Sequence, residues 1–334
     1  LLPAPATAES APVGFFDPSV EVRAIAVEGD SRLSLLATPG PAEEIARDLA
    51  GHLAADWARI EASLGHRDPA PLEVRVAYGK PSFNAIQPPG ARVPGWAAGV
   101  AFSGLGVIVL DAQASGRSGS VRAVLQHELA HIALGRLVEG RVPRWFNEGF
   151  ALQIAGEWSP SRSSVVARAV MARALIPLSE LDEDWPHAPT DVNLAYAQSA
   201  SMVGHLLGVE GGDALRRLVA NLQEGQPFSQ ALQAAYGKPL VLLESEWKES
   251  LRFRYGWLTL FMDTQLLLAA AALVLVAGAF FKWRRKRKRL AQMEIEEAEE
   301  MAWVEQVERA LELEEDGPSD DDPFPTPPKN RLLH

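Results

Sequence analysis

His127 and His131 stand four residues apart, with Glu128 between them, in the run His127-Glu128-Leu129-Ala130-His131. On a helix, positions i and i+4 lie nearly above one another, so the two imidazoles aim at one spot. Imidazole nitrogen suits zinc, and a catalytic zinc takes three protein ligands and keeps one position open for water. Glu128 sits beside the first ligand and can take the proton from that water. These residue types at this spacing point to hydrolysis. Histidine is scarce, 7 of 334 residues, so chance places such a pentapeptide in roughly one chain in a hundred of this composition. The plainer reading is a buried helix with two structural histidines. It leaves two imidazoles and a carboxylate in apolar surroundings without a ligand, which is costly.

A third ligand must come from elsewhere in the chain. Glu148 lies in Trp145-Phe146-Asn147-Glu148-Gly149-Phe150-Ala151. Gly140 and Pro143 mark a helix start, and a helix over 144–156 carries Glu148 inward among Trp145, Phe146 and Phe150. A carboxylate in that company needs a metal or a cation. With it, a His₂Glu set completes a catalytic zinc site. Arg144, at i−4, is the competing structural partner.

The pair HELAH and WFNEGFA resembles the gluzincin zinc metallopeptidases. It is similar to the catalytic core of the zinc aminopeptidases, whose second helix often reads WLNEGFA, and to the bacterial peptidase MA-like group. The resemblance spans roughly residues 70–255. It implies Zn2+ held by His127, His131 and Glu148, with Glu128 as general base. It implies an α+β fold, a thermolysin-like zinc peptidase domain of a small mixed sheet and a helical half. An edge strand before the zinc helix would align an extended peptide or protein substrate. It also implies a tyrosine donating to the oxyanion from the head of a later helix, and Tyr196 opens such a run. Tyr196 also reads as a half-buried core residue, with His205 and His187 as rival donors. One departure bears on specificity. The aminopeptidases carry a GxMEN strand whose Glu holds the substrate's free amine. Here the matching stretch, Gly99-Val100-Ala101-Phe102-Ser103-Gly104, has no acid to hold an ammonium. That favours an endopeptidase.

The elements that must position these residues follow from periodicity. The patterns predict two strands over 19–37 and an amphipathic helix over 42–64. A half-buried strand is expected over 72–78, a loop over 79–96, and two short strands within 98–111. The zinc helix is expected over 121–134, stopped by Gly135. Helices are expected over 144–156, 161–176, 191–208, 212–224, 227–236 and 241–255, with 178–189 an irregular acidic link.

The chain is long enough for one large domain or two small ones. Its net charge of −11 argues against a nucleic-acid partner. It has no cysteine, which excludes disulfides, thiol catalysis and Cys-bound zinc. Residues 1–14 read as a disordered leader or a signal-peptide remnant, followed by a zinc peptidase-like domain over 15–256. Residues 257–281 read as one C-terminal transmembrane helix. The basic run from Lys282 to Arg289 reads as its stop-transfer flank, so the zinc domain would face the periplasm or cell exterior and the C-terminus the cytoplasm. The resulting localisation is the cell (inner) membrane, single-pass. Residues 282–334 form a basic-then-acidic tail with a helical stripe that suits a cytoplasmic partner. The contrasting function is a zinc-stabilised, non-enzymatic binding or signalling module on that anchor.

Overall fold

The computed structural model describes residues 20–91, 93–118, 120–138, 142–262 and 264–314. The chain divides into two compact units, Leu1–Gly256 and Trp257–His334.

The first unit is built on a five-stranded mixed sheet in the order β1-β2-β3-β5-β4. The strands are β1 (Arg23–Ile25), β2 (Leu33–Ala37), β3 (Leu72–Ala77), β4 (Gly99–Phe102) and β5 (Val107–Asp111). β2, β3 and β5 run parallel, and β1 and β4 pair antiparallel at the two edges. Between β2 and β3 runs helix α1 (Pro41–Leu64), as the apolar spacing of Leu49, Leu53, Trp57, Ile60 and Leu64 requires. Gly65, at φ +70°, ends it in the left-handed conformation that glycine adopts without cost. Leu72, Val74 and Val76 of β3 join α1 and the later helices in the main core.

β3 differs from expectation in being buried on both faces. The second face is covered by α2 (Lys80–Ala85), in the stretch read as a loop, whose Phe83 joins Ala77, Val107 and Val109 in a small second core. Glu73 and Arg75 lie on that face, fully buried and paired at 2.7 Å. Arg75 Nη1 also donates to the Ile86 carbonyl at 2.7 Å. Both buried charges are thus neutralised and hydrogen-bonded, as a buried pair must be.

After β5 come α3 (Ala112–Ser118) and α4 (Val121–Leu137). Gly135 does not stop α4. It lies inside the helix, where a Cβ would stand 2.8 Å from Ser103 Oγ, so glycine here permits close packing rather than termination. Ser103 Oγ in turn donates to the His131 carbonyl at 3.1 Å. Arg136 fixes the end of α4 by donating to Asp68 Oδ2 at 2.6 Å and to the Pro71 carbonyl at 2.7 Å. At the other end, Asp56 of α1 is buried and accepts from Arg122 Nε (2.8 Å), Arg122 Nη2 (3.0 Å) and Gln126 Nε2 (2.9 Å). α4 is therefore tied to its surroundings at both ends.

The helical half contains α5 (Arg144–Ile154), α6 (Pro160–Ala172), α7 (Leu178–Glu183), α8 (Pro189–Glu210), α9 (Gly212–Gln223), α10 (Phe228–Tyr236) and α11 (Leu240–Met262). α7 occupies what reads as an irregular link, because its Leu178 and Leu181 are buried under an acidic outer face. α5 and α8 approach closely at Gly149, where a Cβ would lie 2.3 Å from the Ser199 carbonyl oxygen. The buried Gln198 side chain closes a two-bond pair with the backbone of Ile176, both at 2.9 Å.

The second unit contains one long helix, α12 (Thr264–Glu314). The expectation of a transmembrane helix over 257–281 is overturned. Among the described residues, no helix is long and apolar enough to cross a membrane. Within α12 the apolar run reaches Phe281. It then meets the basic run from Lys282. The side chains of 257–267, the leader 1–14 and the acidic end 316–334 lie outside the described residues.

Candidate metal centre

α4 carries His127 and His131 on one face, one turn apart, and α5 brings Glu148 to them. Among the described residues, these three form the group whose donor atoms lie within 4.8 Å of one another. His127 Nε2 is 3.1 Å from His131 Nε2, and Glu148 Oε2 is 3.7 Å from each. Donors bound about 2.05 Å from a tetrahedral ion stand about 3.3 Å apart. The observed triangle brackets that value, so the set fits zinc in both donor type and spacing.

The surroundings fix these donors. Asn147 Oδ1 lies 3.1 Å from His131 Nδ1. An amide oxygen there selects the tautomer with the proton on Nδ1 and leaves Nε2 free to face the triangle. Arg144 is not solely a partner for Glu148. Its Nε is 3.9 Å from Glu148 Oε1, while its guanidinium lies over the Trp185 ring at 4.3 Å. Burial would raise the Glu148 carboxyl, but the two imidazoles and Arg144 outweigh it and hold it below the ordinary carboxylate value.

Glu128 is buried beside the triangle. Burial pushes its carboxyl up to about 7, opposed by the His131 charge and supported by Glu148. It accepts a hydrogen bond from the Ala101 N–H of β4. β4 is an edge strand, as the resemblance implies. Asp111 N–H donates to the Ala98 carbonyl at 2.8 Å. Because antiparallel ladder bonds alternate, the backbone groups of Gly99 and Ala101 then point to the open side. A cleft of about 570 Å³ opens there, lined in part by Gly99, His127, Glu128, Glu157, Arg162 and Asn193.

Tyr196 packs its ring edge-on against Trp185, with centroids 5.2 Å apart, and its hydroxyl is hydrogen-bonded to Arg144. Burial raises its pKa, and the charge of Glu148 raises it further against the opposing Arg144. The rival donors stand elsewhere. His187 is exposed in the loop before α8, and His205 lines a different cavity with Trp158 and Trp247. No sequence motif marks Asn147, although its polar side chain interrupts an apolar run. Glu157 carries no local signal either, and only the folded chain brings it to the site.

A sequence model described as the Peptidase MA superfamily matches residues 56–253. No curated protein matches the chain. Among solved structures, an M1 zinc metallopeptidase from Deinococcus radiodurans is similar at 19% identity and a TM-score of 0.43, covering 70% of this chain and 51% of that one. A two-domain M1 zinc metallopeptidase mutant bound to L-tryptophan is similar at 19% identity and a TM-score of 0.43, covering 71% and 51%. The chain thus spans about half the length of these solved relatives. The family match runs from Asp56, which anchors α4, through both helices that carry the metal donors and on into α11. By that match the chain belongs to the Peptidase MA superfamily.

Proposed function

We propose that this protein is a zinc metallopeptidase that cleaves internal peptide bonds. The observation that carries the reading is the triangle of His127, His131 and Glu148 with the buried Glu128 beside it. Zinc, when bound, supplies a Lewis acid and lowers the pKa of water. The remaining work falls to side chains and backbone. An extended substrate pairs with the open edge of β4 through the backbone groups of Gly99 and the Ala101 carbonyl. Glu128, buried beside the triangle, takes the proton of the attacking water and returns it to the leaving nitrogen. The Tyr196 hydroxyl donates to the oxyanion as charge develops on the substrate carbonyl. β4 offers no carboxylate for a free amine, which supports endopeptidase over aminopeptidase action.

Metal analysis tests the ligand set. The purified full chain should bind about one zinc, and His131→Ala and Glu148→Ala should each lose most of it. Full zinc in both variants removes the assignment.

A further inference from the structure

We propose that Glu157 is a positioning residue for His127 and that Arg162 holds it in place. This rests on the zinc-site reading above. An imidazole that offers Nε2 to a metal carries its proton on Nδ1, and that proton normally has an acceptor which orients the ring. The two histidines differ in this respect. His131 Nδ1 has Asn147 at 3.1 Å. His127 Nδ1 is buried and makes no hydrogen bond. Glu157 Oε1 lies 3.8 Å from it, beyond hydrogen-bond length but within about 1 Å of it.

Glu157 is held in that position by its own neighbourhood. α5 ends at Ile154, and Gly156 takes φ +65° to turn the chain, after which the Glu157 N–H donates to the Leu152 carbonyl at 3.0 Å. Arg162, in the first turn of α6, donates from Nε to the Glu157 carbonyl and from Nη2 to Glu157 Oε2, both at 2.9 Å. Ser159 caps that turn by accepting from the Arg162 N–H. One carboxylate oxygen is thus engaged by Arg162, and the other is the one near His127. Closing a gap of about 1 Å brings Nδ1–H onto Oε1.

Glu157 also lines the cleft beside Gly99, so the competing role is capture of a substrate ammonium in place of the acid that β4 lacks. The Arg162 clamp opposes that role, because the charge of Glu157 is already matched.

The test is the zinc dissociation constant of the full chain, measured by competition with a chromogenic chelator, together with the melting temperature of the metal-free protein. Glu157→Ala should weaken zinc binding about 10–100-fold. Glu157→Gln keeps an oxygen that accepts from Nδ1–H, as Asn147 does, and should retain most of the affinity. Arg162→Ala should fall between them. The metal-free melting temperature of Glu157→Gln should stay at the wild-type value. Wild-type zinc affinity in Glu157→Ala overturns the proposal, as does equal loss in the Ala and Gln variants. A raised KM for free-amine peptides with zinc affinity unchanged assigns Glu157 to amine binding instead. A wild-type chain that binds no zinc overturns the zinc-site reading itself, so the two failures are read apart.

Discussion

Glu128 Oε1 lies 2.9 Å from the point where a Cβ on Gly99 would stand, and Glu128 Cγ lies 3.0 Å from it. The edge strand and the buried carboxylate are therefore fitted to each other. The nearest atom to that Cβ is Val124 Cγ1, at 2.8 Å, so Gly99→Ala must displace Glu128 and Val124 together or push β4 away from α4. A misplacement near 1 Å can cost about 10²-fold in rate. The variant should lose roughly 10–10²-fold in kcat while keeping its zinc, checked by metal analysis beside turnover. Unchanged turnover would show that the contact does not position the carboxylate.

Tyr196→Phe removes the hydroxyl and keeps the ring against Trp185. If the hydroxyl donates to the oxyanion, kcat should fall about 10²–10³-fold with little change in KM. Steady-state kinetics on one peptide decides this. A rise in KM alone would make Tyr196 a binding residue.

How much of this was legible beforehand depends on range along the chain. The pairing of His127 with His131 is local helix geometry, so spacing alone reveals it. Glu148 needed a second helix, but Pro143 and the aromatic run announced that helix. Gly99 against Glu128 and Glu157 beside His127 are contacts across elements, and no local pattern encodes them. Gly135 reads as a stop because glycine commonly ends helices, whereas here the missing Cβ admits Ser103. α2 and α7 escape notice because each is six residues long. Such short helices are held by buried side chains such as Phe83 and Leu181 rather than by propensity. The run over 257–281 reads as a membrane span on composition, yet among the described residues no helix is long and apolar enough for that role.

The α5–α8 contact gives a stability prediction. A Cβ at Gly149 would lie 2.3 Å from the Ser199 carbonyl oxygen and 2.6 Å from Val203 Cγ2. Gly149→Ala must part the two helices, at a cost of about 1–3 kcal/mol. Since Glu148 precedes this position, zinc affinity should fall with stability. Thermal melting with and without zinc checks both, and a wild-type melting temperature contradicts the packing argument.

Asp56 sets an acid limit on stability. Burial would raise its carboxyl, but the hydrogen bonds from Arg122 and Gln126, with the Arg122 and Arg59 charges, hold it below the ordinary carboxylate value. A carboxyl depressed on folding adds stability that is complete above its unfolded value, about 3.9. That stability is lost as pH falls through the lower folded value. Asp56→Asn should therefore destabilise the protein near neutrality, by about 1–3 kcal/mol. It should also flatten the fall in melting temperature below about pH 4. Parallel profiles for the two proteins would remove Asp56 from the account.

The central claim is that Glu128 moves the proton in peptide hydrolysis. It is tested most directly by the turnover of an internally quenched peptide, blocked at both ends, by zinc-loaded wild type and zinc-loaded Glu128→Gln. Glutamine keeps the shape and cannot accept the proton. The wild type should cleave the peptide, and the variant should keep its zinc and slow by about 10²–10⁴-fold. Equal rates in the two proteins, or no cleavage of any blocked peptide by the zinc-loaded wild type, would contradict the account.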